Sequence, residues 1–238
     1  MQKHLYRHFR EILRAMQEKK TSDARERAVR QFGRSALSFD ALQCAERYGW
    51  FASAVEPGAM VPYRRYGSVD VVLGEPLASR DRLVEVAAEF LAARRAAGRT
   101  VLGFSATEPF LRAAVASGGS AVQILAEPEL DPSNFEPRGG NAKKLRAYAR
   151  RLHRVGFEAV ALPAGEPKVP DDFRLSADAL VADWLARGVS RSAHLLEVNA
   201  WRRVAEKRYF AVFDPERRER LCSLLIAHPV YAMAARRC

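Results

Sequence analysis

Apolar positions along the first twenty residues recur at helical spacing. Leu5, Phe9, Ile12, Leu13 and Met16 share one side, while Lys3, Arg7, Arg10, Arg14, Lys19 and Lys20 fall largely on the others. The pattern predicts an amphipathic helix, either packed on the domain through its stripe or lying on an anionic membrane. A second helix, capped by Thr21 or Ser22 and stopped at Gly33, carries Ala24, Ala28, Val29 and Phe32. The segment SALSFDALQ reads as a connector. The pattern then turns to strands: RYGWFASA, the turn EPG and AMVPYRRYG form a hairpin, and SVDVVLGEP adds a third strand of an antiparallel meander.

The next stretch, from Asp81 to Ala97, returns to helical spacing, with Leu83, Val86, Ala87, Phe90 and Leu91 on one face and Gly98 as the stop. TVLGFSA is a strand. Pro109 opens a short helix that ends at Gly118-Gly119, and AVQILAEPELD is a further strand. A helix from Asn141 to Val155, stopped by Gly156, leads to the strand FEAVALP. PAGEPKVPDD reads as a linker. Ser176 caps a helix that runs through Trp184 to Arg187, and RYFAVFD with RLCSLLIAHPVY forms a hairpin across DPER. This order of strands and helices is mixed α/β.

Of 238 residues, 48% are hydrophobic, enough for a large core, so disorder is excluded. Lysine and arginine number 39 against 28 acids, a formal charge of +11. That excess favours polyanionic partners, nucleic acid or the anionic face of a membrane. Cys44, Cys222 and Cys238 are odd in number and widely spaced, against a disulfide framework or a structural zinc site. A reducing, cytoplasmic compartment fits, with Cys222 a buried small hydrophobe in its apolar run. No run is long enough to cross a membrane, and the N-terminus lacks the apolar core of a secretory signal.

The richest stretch is RGGNAKKLRAYARRLHRVG. It holds Arg138, Lys143, Lys144, Arg146, Arg150, Arg151 and Arg154 with no acid between Arg138 and Gly156. Leu145, Tyr148, Leu152 and Val155 fall on one face and are expected to anchor the helix. Lys143, Arg146, Arg150 and Arg154 form a basic ridge on another. Like charges at this spacing repel by a few tenths of a kcal/mol per pair, about 0.2–0.5, so a ridge of them points to an anion. Lys143, Lys144, Arg146, Arg150 and Arg154 are therefore the candidate substrate and anion ligands. The Gly139-Gly140 turn before the helix adds backbone N–H groups. Asp70 and Glu75, flanking a strand end, are candidate polar site residues, with structural roles as the alternative.

Several pieces in order resemble the C-terminal domain of the bacterial phosphatidylglycerol lysyltransferases and their stand-alone relatives. ARERAVRQFGRSALSFDAL is similar to the family's opening helix and Gly-x-x-Ser-Leu-Ser segment. VVLGEP resembles its strand ending Leu-Gly-Asp-Pro, with Glu75 in place of Asp. NAKKLRAYARRLHRVGFEAVAL resembles its basic helix, and KRYFAVFD with the run ending HPVYA the start of a second half. The resemblance spans roughly residues 24–232.

It implies tandem GNAT-like acyltransferase halves. On that reading residues 1–34 are a helical segment, 35–163 the first GNAT-like domain, 164–175 a linker, and 176–238 the start of a second domain that stops after two strands. That early stop suggests a fragment, a frameshifted product or a degenerate binding module. The implied activity is transfer of an aminoacyl group from aminoacyl-tRNA to the hydroxyl of phosphatidylglycerol, with no metal or redox cofactor. Implied partners are the charged tRNA and anionic phospholipid, met by peripheral contact at the inner face of the membrane. The alternative is a non-catalytic module that binds anionic lipid or RNA.

Other chemistries find little support. His4 and His8 sit beside Arg7 and Arg10, which repel a cation, and the remaining histidines have no metal spacing. There is no GxGxxG, P-loop, serine elbow or Gly-rich acyl-CoA loop. Trp184, Trp201 and Tyr209 are expected in the core.

Overall fold

A computed structural model describes residues 20–124, 126, 135–140, 142–163, 165, 170–187, 199–217 and 220–231. The N-terminal stripe from Leu5 to Met16, His4, His8, His194 and Cys238 lie outside the described residues. The described chain divides into two compact units, one running to Gln123 and regaining the chain from Pro229, the other spanning Ile124–His228.

In the first unit, helix α1 (20–32) is already running at Lys20, so Thr21 and Ser22 lie inside it rather than starting it. Its Ala28, Val29 and Phe32 are buried with Leu42 and Leu77. The expected connector after it is helix α2 (Ala36–Gln43). Extended Ser35 precedes α2, and burial of Phe39, Ala41 and Leu42 along it outweighs the modest propensity of its serine and aspartate.

Strands β1 (Gly49–Ala52), β2 (Met60–Tyr66) and β3 (Val69–Leu73) form the expected antiparallel meander. Helix α3 (Leu83–Ala96) crosses over to β4 (Thr100–Phe104), which lies parallel to β3 from Val69↔Thr100 to Leu73↔Phe104. The α3 positions Leu83, Val86, Ala87 and Phe90, spaced as one helical face, are buried against Val61, Tyr63 and Val72 of the sheet. Phe90 anchors this layer, with ring centroids 5.5 Å from Phe51 and 5.6 Å from Tyr63. Full burial of such a ring contributes about 1.5–3 kcal/mol.

Helix α4 (Glu108–Ala116) follows, with Pro109 in its first turn as expected. Phe110 on α4 fits because Gly103 has no side chain: a Cβ there would stand 2.9 Å from the Phe110 ring. The strand expected at AVQILAEPELD does not form where the chain is described. Residues 121–124 and 126 join no ladder. Val122 and Ile124 are 79% and 62% exposed, so no burial rewards pairing there.

In the second unit, helix α5 (Lys143–Arg154) leads to β5 (Ala159–Ala161), helix α6 (Asp171–Ala186), β6 (Arg208–Phe213) and β7 (Leu221–Ala227). The three strands form an antiparallel sheet in chain order. The β6–β7 hairpin is as read from the sequence. Helix α6 begins at Asp171, so Ser176 is interior. Pro170 precedes it, and Asp171 and Asp172 in the first turn complement the positive end of the helix dipole. Its Ala177 is fully buried with Ala211 and Leu221, and Phe173, Leu180, Trp201, Phe213 and Leu224 pack around them.

Lys207 is buried, with Nζ donating to the carbonyls of Asn199 and Ala200. The Tyr209 hydroxyl also donates to Ala200, at 2.6 Å, and burial pushes that phenol up to about 12. Trp201 stacks on Tyr209 at 5.9 Å, in keeping with core roles for both. The class is thus mixed α/β, with six α-helices, α1 included, and two sheets among the described residues.

Candidate anion-binding site

The basic helix exists as expected, but not in the expected surroundings. It begins at Lys143 after Ala142, with no side-chain cap, and its first turn holds lysines and no acid. Lys143 and Lys144 therefore sit at the end of the helix where cations are disfavoured, whereas Arg151, His153 and Arg154 in the last turn suit the negative end.

No carboxylate among the described residues pairs with Lys143, Lys144, Arg146, Arg150 or Arg154. Arg138 is the exception in this stretch, paired with Glu136. Arg146 has a local duty. Its Nη1 donates to the carbonyls of Pro137 at 2.6 Å and Gly139 at 3.0 Å, which staples the turn before the helix while leaving its charge uncompensated. Gly139 takes φ +74°, a left-handed value that suits glycine at this turn. Arg150 reaches back to the Arg146 carbonyl at 3.2 Å.

The anchoring face does not anchor. Leu145, Tyr148, Leu152 and Val155 are all at least half exposed, and no residue of α5 is buried. The periodicity correctly put these four on one side; no described element of the second unit covers them.

The two polar candidates lie in the first unit, away from α5 in sequence and each in its own network. Asp70 has no exposed side-chain surface and faces Arg99 at 2.6 Å and Arg94 at 3.7 Å. The Asp70 carboxylate beside it raises the Arg99 guanidinium above its ordinary value. Glu75 accepts from Arg34 Nε at 2.8 Å and from the Thr107 hydroxyl at 2.6 Å. Arg34 also donates to the carbonyl of Ala78 at 3.0 Å. This knot sits just beyond the carboxyl ends of the parallel pair β3 and β4, where open α/β sheets bind ligands. Ser105 beside it holds φ +52°, uncommon for serine. Nothing in the sequence singles out Arg34 or Thr107. The one local signal is Thr107 as the residue before a helix start, and its hydroxyl serves Glu75 instead of capping α4.

The second unit also carries a groove of ≈ 330 Å³ between α6 and β7, lined by Leu180, Val181 and Trp184 on one side and Cys222, Leu224 and Ile226 on the other. Cys222 is exposed, contrary to expectation, because β7 turns this position toward the groove that α6 leaves incompletely filled. Trp184 is likewise 42% exposed rather than in the core. Of the two described cysteines, Cys44 is the buried one. No group of three His, Cys, Asp or Glu side chains able to hold a metal occurs among the described residues.

Comparison with known proteins agrees with the order of motifs. The profile of the family described as phosphatidylglycerol lysyltransferase, C-terminal, matches residues 26–219. Among solved structures, L-PGS from Bacillus licheniformis aligns with a TM-score of 0.71 at 20% identity, covering 88% of this chain and 62% of that one. The C-terminal domain of a putative lysylphosphatidylglycerol synthetase from Agrobacterium fabrum aligns at 0.69 and 16% identity, covering 90% and 65%. The chain thus spans less than two thirds of the length of these structures. They share its fold, consistent with a GNAT-like architecture. A search of curated proteins gave no match.

Proposed function

The chain belongs to the phosphatidylglycerol lysyltransferase C-terminal family, and from that premise we propose that it transfers an aminoacyl group from aminoacyl-tRNA to the hydroxyl of a membrane phospholipid of the phosphatidylglycerol type. The observation that carries this reading is the set of five cations on α5 without a carboxylate partner among the described residues. A phosphodiester, in lipid headgroup or tRNA, supplies the missing anion, and cations are the side chains that bind it through charge-assisted hydrogen bonds.

The reaction is an ester exchange. The lipid hydroxyl attacks the aminoacyl ester carbonyl, the carbon–oxygen bond to the tRNA ribose breaks, and the proton lost by the lipid hydroxyl is balanced by one gained by the ribose oxygen. The reaction needs no net oxidation or reduction. The contribution asked of the protein is to hold both substrates in line and to stabilise the developing oxyanion. In this reading α5 positions phosphate and does no covalent chemistry. The knot of Arg34, Glu75 and Thr107, at the carboxyl ends of β3 and β4, is the polar site nearest to the usual ligand position of such a sheet.

The test combines charged tRNA, phosphatidylglycerol vesicles and the protein, with labelled aminoacyl lipid as readout. Product is expected. Its absence at high protein, with a longer family member active in the same assay, rejects transfer by this chain. A second reading, a non-catalytic module for anionic lipid or RNA, rests on the same helix. It is supported if binding without product is abolished by Arg146→Glu/Arg150→Glu/Arg154→Glu, and rejected if binding survives that change.

A further inference from the structure

Helix α5 presents two different faces, and no described element of its own unit covers either. Lys143, Arg146, Arg150 and Arg154 line one side; Leu145, Tyr148, Leu152 and Val155, spaced three, four and three, line another. The four apolar side chains are between 51% and 62% exposed. The helix is about 18 Å long, at about 1.5 Å per residue. Contacts hold it at its ends. Arg146 staples the preceding turn through Pro137 and Gly139, and Pro215 of the β6–β7 turn sits against Gly156 behind its C-terminus.

A strongly basic face beside a narrow leucine-rich one, on a helix that is polar in most of its positions, is the composition of a helix that lies in a bilayer interface. We propose that α5 is such a helix. Its leucines and valine enter the boundary between headgroups and acyl chains, while its lysines and arginines engage the phosphates of anionic lipid. Tyr148 suits the same depth, since its ring is apolar and its hydroxyl polar.

Charge complementarity names the surface as anionic. From Lys143 to Arg154 the helix holds Lys143, Lys144, Arg146, Arg150, Arg151 and Arg154, with His153 among them, and no acid. The apolar stripe decides between a membrane and an RNA. A sugar–phosphate backbone neutralises the ridge but leaves Leu145, Leu152 and Val155 in water. A bilayer takes both faces at once. The inference rests on α5 as the phosphate-binding element and adds the form in which that phosphate is met, as a membrane plane.

The experiment sediments the whole chain with vesicles of phosphatidylglycerol in phosphatidylcholine and with phosphatidylcholine alone. It compares the wild type with Leu145→Ser/Leu152→Ser and with Arg150→Glu/Arg154→Glu. All four positions are exposed, and circular dichroism and thermal unfolding verify that each variant is folded. The wild type is expected to prefer the anionic vesicles, and both variants to bind them at least about tenfold more weakly. Equal binding by the leucine variant and the wild type overturns the proposal, as does a wild type that binds tRNA yet ignores anionic vesicles. Aminoacyl transfer by the wild type to lipid in detergent micelles separates the two readings. Product in micelles without vesicle binding removes only the membrane helix. Leucine-dependent vesicle binding with no product in either format removes only the transfer reaction.

Discussion

Arg99 Nη2 lies 2.6 Å from Asp70 Oδ1, joining the residue before β4 to the interior of β3. Arg94 on α3 approaches the other oxygen of the same carboxylate at 3.7 Å and also donates to the Tyr63 hydroxyl at 3.1 Å. One carboxylate without exposed surface therefore links two strands and their crossover helix. Asparagine at position 70 would keep the shape and remove the charge, leaving two arginines facing each other. Breaking a buried pair costs about 3–5 kcal/mol, and because both guanidinium groups keep some exposure the expected loss for Asp70→Asn is about 2–3 kcal/mol. Urea unfolding measures it; an unchanged midpoint would show that the carboxylate holds nothing together.

Glu75 is shared by Arg34 and Thr107, at sequence distances of 41 and 32 residues. Glu75→Gln should lower stability by about 1–3 kcal/mol, since it weakens the acceptor of both donors. Thr107→Val should cost about 1 kcal/mol. Because both changes strike one network, the double variant should lose less than the sum by at least about 0.5 kcal/mol. Strict additivity in a double-mutant cycle would mean that the two residues act independently.

The strands are legible in the sequence because β-branched and aromatic runs and the turns between them are local signals. Val61 and Tyr63 are buried on β2, and Pro57 and Gly58 mark the turn of the hairpin. Helix α3 is legible through the spacing of Leu83, Val86, Ala87 and Phe90. Pairings across the fold are not, since nothing near Glu75 in the sequence announces Arg34. Helix α2 escapes a sequence reading because serine and aspartate suit a connector as well as a short helix whose stability comes from Phe39 burial. Residues 121–124 look like a strand by composition, yet strand propensity records packing, and here there is none. In α5 the spacing of Leu145, Tyr148, Leu152 and Val155 specifies a face but not what covers it. The same limit applies to Cys222, whose apolar neighbours in sequence say nothing of the groove beside it.

Glu89 on α3 supports a prediction in pH. Burial pushes its carboxyl up, but the hydroxyl of Ser53 and the backbone N–H groups of Ala54 and Val55 outweigh this and hold it below its ordinary value of 4.5. A carboxyl depressed in the folded state adds stability above its unfolded value and loses it as pH falls through the folded one. The stability gap between wild type and Glu89→Gln should therefore be widest near neutral pH and close progressively below about pH 4. A gap that stays constant into acid would show that the ionised form of Glu89 is not what holds the turn after β1.

The cations of α5 should behave in the opposite way to Asp70, contributing to binding and not to stability. Lys143, Arg150 and Arg154 meet no carboxylate among the described residues and repel one another at helical spacing. Replacing all three with alanine should leave the unfolding free energy within about 0.5 kcal/mol of wild type, or raise it slightly as the repulsion is relieved. Each cation near an anionic surface contributes about 1 kcal/mol, so the same variant should bind phosphatidylglycerol vesicles roughly a hundredfold more weakly at low salt. The difference should shrink toward 1 M salt, where the screening length falls to about 3 Å. Calorimetric unfolding and vesicle titrations at two salt concentrations check both halves. A destabilised variant with undiminished binding would place these side chains in the architecture of the domain and remove them from its phosphate contacts.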